Sequence, residues 1–227
     1  IDFRKQDIEL WPTEYLLCGG HGLAGIRVNE RAETAVPGLY AAGDVASVAK
    51  QHLTGAFIFG EIAAEQAAGY IASAPDTHIH EDDVAAVREE LAERFSAKDR
   101  DIDVRELEHK VRRVVGDYLV APKNAHKFEL WKYWSDTFRE DFKHVAIHNG
   151  HELSKLYEVE NILLCADCSA LAGDFRKESR WGECHRRSDY PLQDDANWHC
   201  HVVIKMKDNH LNAEKVRISE LGEEVSL

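Results

Sequence analysis

Gly43 and Asp44 close the run VPGLYAAGDVA (36–46). Apolar, strand-like residues stop at a glycine, where a backbone can come close to a phosphate, and a carboxylate follows that can accept from a sugar hydroxyl. The pair reads as one wall of a nucleotide-cofactor site. GHGLAG (20–25) lies just upstream and matches G-x-G-x-x-G, with Asp44 near the spacing of a ribose-binding acid. Such a fingerprint must open a helix whose N-terminus carries the pyrophosphate, whereas IRVNERAETAVPG reads as strand, turn and proline. The glycines are instead expected to let the backbone pass close to a flat ligand or a neighbouring strand. His21, set among them, is expected in a cleft rather than a core.

LTGAFIFGEIAAEQAAGYIA (53–72) supplies the next piece. Thr54 is placed to cap a helix, Gly55 and Ala56 keep its first turn bare, and Ile58, Ile62 and Ala63 are expected to pack inward. A bare helix start presents free N–H groups and the positive end of the dipole to an acceptor. Two further clusters have chemical potential. Cys165 and Cys168 form a C-x-x-C, but helical spacing runs through VENILLCADCSALAG without a turn, so buried structural thiols are expected. Arg176, Lys177, Arg180, Arg186 and Arg187 form a local basic cluster, which reads first as an ion-paired face.

The elements that must position these residues fall into two regimes. Residues 1–74 are rich in Gly and Ala, with short β-type runs (EYLLC, GIRVN, GLYAA) and a helix over roughly 55–73. Residues 80–175 are strongly helical. Val84, Val87, Leu91 and Phe95 share a face, as do Val104, Leu107, Val111 and Val114. Phe128, Trp131, Trp134 and Phe138, then Leu153, Leu156, Val159 and Leu163, do the same, so a four-helix bundle is expected. Asp82 or Asp83 and Asp103 are candidate N-caps. From 176 to 227 a charge-dense loop leads to a β-hairpin that turns at Asp208-Asn209. The fold class is α+β.

A formal charge of −13 argues against a nucleic-acid partner. No apolar run approaches the length of a membrane span. Five cysteines at irregular spacing suit a reducing, cytoplasmic setting rather than a disulfide framework. The first residue is Ile, which suggests a chain that begins inside a longer polypeptide.

The order GGHGLAGIRVNE, VPGLYAAGDVA, LTGAFIFGEIAAEQAA and ESRWGECHRRSDYPLQDDANW (178–198) resembles the closing part of the succinate dehydrogenase/fumarate reductase flavoprotein family. That family includes L-aspartate oxidase and the adenylylsulfate reductase alpha subunit. The resemblance implies that 1–74 are the C-terminal piece of a Rossmann-like FAD domain, followed by a helical bundle domain (75–175) and the hairpin extension. It assigns Gly43 to the flavin diphosphate region, Asp44 to a ribityl hydroxyl, and the amides of Ala56, Phe57 and Ile58 to the isoalloxazine. It makes His21 the substrate-side catalytic residue, as a proton relay or an electrostatic anchor. Dicarboxylate members carry R-L-G-A-N-S at the helix start, and here Leu53 stands in place of the Arg that grips a substrate carboxylate. The pattern is therefore nearer the adenylylsulfate reductase branch.

The implied function is FAD-dependent two-electron exchange with a small anionic substrate. An iron–sulfur subunit is an implied electron partner, and the rest of the FAD domain and the capping domain would lie upstream. No metal ligands are expected in the chain. The basic cluster would hold an anionic substrate or dock the helical domain onto the FAD domain, docking being favoured. The rival reading is a helical interaction module with no activity of its own.

Overall fold

The computed structural model describes residues 24–48, 51–74, 79–96, 100–180, 182, 185–218 and 224–226. Its chain divides into two compact units, Ile1–Pro75 and Asp76–Leu227. The expected strand EYLLC and His21 lie outside the described residues.

In the first unit, the β-type runs meet as isolated bridges rather than full strands. Ile26 N donates to Val45 O at 2.7 Å and Ser47 N to Ile26 O at 2.9 Å, a parallel pairing. Gly25 is what permits it: a Cβ there would lie 2.6 Å from the Ala46 carbonyl carbon. The last glycine of GHGLAG thus serves close approach to a neighbouring strand. Residues 32–41 fold back on themselves, with Ala41 N donating to Ala32 O and Thr34 N to Leu39 O. Helix α1 (Ala56–Ser73) holds this loop through Gln66, which accepts from Arg31 Nε at 2.8 Å and from the Tyr40 hydroxyl at 3.3 Å. The hydrophobic cluster of this unit is built on small buried residues, Ala41, Ala46 and Val48, with Val28 and Phe59 packed against them.

The second unit contains α2 (Glu81–Ser96), α3 (Val104–Tyr118), α4 (Ala125–Phe142), α5 (Gly150–Phe175) and the short α6 (Asp195–Trp198). Three of the four expected stripes build the core. Val104, Leu107, Val111 and Val114 of α3 face Phe128, Trp131 and Phe138 of α4 and Leu156, Val159 and Leu163 of α5. Asp103 caps α3 by accepting from Arg105 N at 2.7 Å, as its position suggested. Asn124 and Asn149 cap α4 and α5 in the same way. Across the core, Asp167 accepts from Trp131 Nε1 at 2.9 Å and Ser135 Oγ at 2.8 Å, and it also pairs with Arg139.

The fourth stripe departs from expectation. α2 begins at Glu81, so Asp82 and Asp83 occupy its first turn rather than capping it. There they complement the helix dipole. Val84 and Phe95 are exposed and Val87 is 56% exposed, so the bundle among the described residues has three helices. The C-x-x-C also differs. Cys165 is exposed and Cys168 half-buried, because that side of α5 turns away from the core face carrying Leu163 and Ala166.

Strands β1 (Cys200–Lys207), β2 (His210–Ile218) and β3 (Glu224–Ser226) form an antiparallel sheet in that order. The expected hairpin turn is present, with φ of 51° at Asp208 and 61° at Asn209, the two left-handed positions of a type I′ connection. β3 extends the hairpin by pairing Val216 with Ser226. α5 packs against β1 and β2, so the sheet belongs to the helical unit. Among the described residues no helix is long and apolar enough to cross a membrane.

Candidate functional site

Gly43 opens a 3₁₀ turn over Gly43–Val45 with φ of 71°. That conformation disfavours any residue with a Cβ by about 1–2 kcal/mol. A Cβ built on Gly43 would lie 3.7 Å from the Ala56 Cβ, so the turn abuts the start of α1. Asp44 is exposed beside it. Three residues of the expected cofactor wall therefore come together: a backbone turn without side-chain bulk at Gly43, the exposed Asp44, and the small side chain of Ala56.

The helix reaches further back than the sequence suggests. Gly55 is already helical, with φ −66° and ψ −39°, and a π-turn over Gln51–Gly55 precedes it. Thr54 lies inside this run, so its expected capping role is not realised. Ala56, Phe57 and Ile58 follow a helical turn instead of forming the first one. Ile58 does not pack inward as expected; it is exposed, as is Phe57 at 76%, because α1 has no buried residue against the small core of the first unit. Leu53, standing where dicarboxylate members carry Arg, is 77% exposed.

The signature 178–198 forms a second polar centre, within the second unit. Glu178 is fully buried and accepts from Arg176 at 2.5 Å, from Arg180 Nε at 2.7 Å and from the Asp194 amide at 2.8 Å. Burial pushes its carboxyl up, but the Arg180, Asp194 and Arg176 hydrogen bonds outweigh burial and hold it below the usual carboxylate range. Arg176 also donates to the Trp198 carbonyl at 2.9 Å and the Cys200 carbonyl at 2.5 Å, fastening the sheet to the end of α5.

Arg187 is fully buried, forks onto Asp189, and donates to the Gly173 carbonyl at 2.6 Å. Its guanidinium lies 5.0 Å from the Phe128 ring centre and 5.2 Å from that of Tyr190. Asp189 in turn accepts from the Ala125 amide at the start of α4 at 3.0 Å. The Arg187 hydrogen bonds hold the Asp189 carboxyl at about 2. Arg176 and Arg187 thus sit buried in ion pairs within the second unit, in keeping with the ion-paired reading of the cluster. The acids that receive Arg176, Arg180 and Arg187 are Glu178, Asp195 and Asp189, and their alternation with the arginines in the sequence is the signal for this pairing.

His185 stands in this centre with only 8% of its surface exposed, and its Nε2 has no hydrogen-bond partner among the described residues. Burial, followed by the charges of Lys123, Arg176 and Arg187, lowers its pKa to about 4. It is a neutral imidazole in the fold.

The second unit is a helical core carrying an antiparallel hairpin, and the first unit ends in a glycine turn and an Ala-rich helix. Residues 129–226 match the family model of the fumarate reductase flavoprotein C-term. An FAD-dependent oxidoreductase of Methanocaldococcus jannaschii, itself uncharacterized, is 27% identical over 215 residues, 91% of this chain and 38% of that protein. The 8-methylmenaquinol:fumarate reductase flavoprotein subunit of Wolinella succinogenes is 28% identical over 243 aligned positions, 97% of this chain and 38% of that subunit. The chain thus spans 38% of the length of these two relatives. Among solved structures, adenylylsulfate reductase of Archaeoglobus fulgidus superposes with a TM-score of 0.74 at 24% identity, over 85% of this chain and 33% of that one. E. coli quinol fumarate reductase gives 0.73 at 23% identity, over 84% and 35%. Residues 129–226 thus match the C-terminal region of the family, and the chain is similar to the C-terminal portion of succinate dehydrogenase/fumarate reductase flavoproteins. The two structural likenesses concern the fold, and their scores do not separate the two branches.

Proposed function

We propose that this chain is the C-terminal portion of an FAD-dependent oxidoreductase that exchanges two electrons with a small anionic substrate. The observation that carries the reading is the abutment of Gly43 on Ala56, 3.7 Å from a would-be Cβ, with Asp44 exposed beside it. The residues present fit a flavin dinucleotide. Gly43 leaves its turn open for a diphosphate, and the Asp44 carboxylate would accept from a ribityl hydroxyl. Ala56, Phe57 and Ile58 would line the isoalloxazine. FAD, when bound, supplies the two-electron chemistry.

His21 is assigned to the substrate side, where an imidazole holds or moves a proton or anchors an anion. Leu53 is uncharged, so this chain lacks the helix-start guanidinium with which dicarboxylate members hold a carboxylate. That absence favours a substrate of the kind handled by the adenylylsulfate reductase branch. The exposed apolar surface of α1 (Phe57, Ile58, Ile71), with Leu53 in the turn before it, suits a helix whose sheet comes from the rest of an FAD domain. An iron–sulfur subunit is the proposed electron partner.

The test is flavin-reduction screening of the full gene product with anionic donors, sulfite plus AMP against C4 dicarboxylates. Reduction by sulfite plus AMP alone supports the branch assignment. Reduction by succinate overturns it, and no reduction by any anion overturns the substrate class.

A further inference from the structure

The C-x-x-C of α5 is used by none of these roles. Both thiols are free, Cys165 exposed and Cys168 half-buried. Residues three apart on a helix are neighbours, with Cβ atoms about 5–6 Å apart. A disulfide takes Cβ atoms about 3.5–4.5 Å apart. Joining the two therefore tightens one turn of α5 by about 1–2 Å and leaves a strained, readily reduced bond.

The two sulfurs differ in access. Cys165 borders a shallow apolar groove between α3 and α5, lined also by Val115, Asn161, Ile162 and Ala166. Cys168 lies deeper. Burial, with the neighbouring Cys165 and Asp167, pushes its thiol up. An exposed thiol meets a partner from solution first, and a shielded one reacts only with a sulfur already held beside it.

The geometry points to a thiol–disulfide couple at Cys165 and Cys168, in which Cys165 attacks a small, uncharged disulfide and Cys168 resolves the product. Cys165 thiolate attacks one sulfur of the small disulfide, forms a mixed disulfide and expels one thiolate, which takes up the proton Cys165 gave up. Cys168 thiolate then attacks Cys165 Sγ, forms the internal bond and expels the second thiolate, which takes up the proton from Cys168. The protein dithiol is oxidised by two electrons and the small disulfide is reduced to two thiols. The groove at Val115 and Ile162 gives an apolar substituent somewhere to lie during the first step.

The test incubates the isolated protein, free of reductant, with bis(hydroxyethyl) disulfide, then alkylates remaining thiols and maps them by peptide mass spectrometry. The expected product is a Cys165–Cys168 disulfide without an adduct, reversed by dithiothreitol. Cys168→Ser is expected to accumulate the mixed disulfide on Cys165, and Cys165→Ser to lose reaction at both positions. A lasting adduct on Cys165 with Cys168 still alkylatable, or two untouched thiols, overturns the proposal. So does Cys165→Ser protein that reacts at Cys168 as fast as the unsubstituted chain. Mapping of the unsubstituted protein decides the matter even where a variant fails to fold.

Discussion

Arg187 forks onto Asp189 through bonds of 2.7 and 2.6 Å, and the same carboxylate takes the Ala125 amide at the start of α4. One half-buried ion pair thus ties the signature loop, the end of α5 and the start of α4 together. Asp189→Asn leaves the buried Arg187 with Asp174, 3.9 Å away, as its remaining acid, and is expected to cost about 1.5–3 kcal/mol by urea unfolding. The pH dependence has a definite sign. The Asp189 carboxyl is held at about 2 against an ordinary 3.8, so its stabilisation is complete above 3.8 and disappears as pH falls through about 2.

Two helical glycines should respond to alanine in opposite directions. A Cβ on Gly173 would come within 2.9 Å of the Phe128 Cζ, in the core, whereas a Cβ on Gly116 meets nothing within 4 Å. Gly173→Ala is expected to destabilise by about 1–3 kcal/mol through overpacking. Gly116→Ala should stabilise by about 0.5–1 kcal/mol through helix propensity. Urea midpoints of the two variants check both signs.

His185 makes the fold acid-sensitive above the carboxylate range. In the fold its imidazole takes a proton only at about 4, whereas the unfolded chain does so near 6.5. The unfolded state therefore binds more protons between those values, and stability falls as pH drops from 6.5 towards 4. His185→Asn removes that titration, and melting temperatures measured across this window should fall less steeply for the variant than for the unsubstituted protein.

How much of this was legible beforehand depends on what each signal reports. The stripe Val104, Leu107, Val111, Val114 named a buried face correctly, and Val84, Val87, Leu91, Phe95 carry the same spacing on a helix left exposed. Periodicity records an amphipathic face and not what covers it. The Asp208-Asn209 turn was readable because left-handed φ is a local demand. The burial of Arg176 and Arg187 was not, since a charge run shows sign and density but not which heads turn inward. The π-turn over Gln51–Gly55 left no trace either: one extra residue in a turn does not alter a pattern of small side chains. Gly43 and Ala56 were each marked by type, and only folding brings them to contact.

Asp44→Ala, tested in the full gene product, should lower the FAD retained after dialysis while leaving the melting profile of the helical unit unchanged. His21→Ala should lower turnover with little change in bound flavin. Flavin content and steady-state rates, measured on the same preparations, separate the two roles.

The central claim is that this chain contributes one wall of an FAD site. Its most direct measurement is the visible absorbance and released-flavin analysis of the full gene product, purified without added cofactor and again after incubation with FAD. A yellow protein holding FAD in stoichiometric amount is expected. A protein that is colourless as isolated and takes up no FAD on incubation would contradict the account.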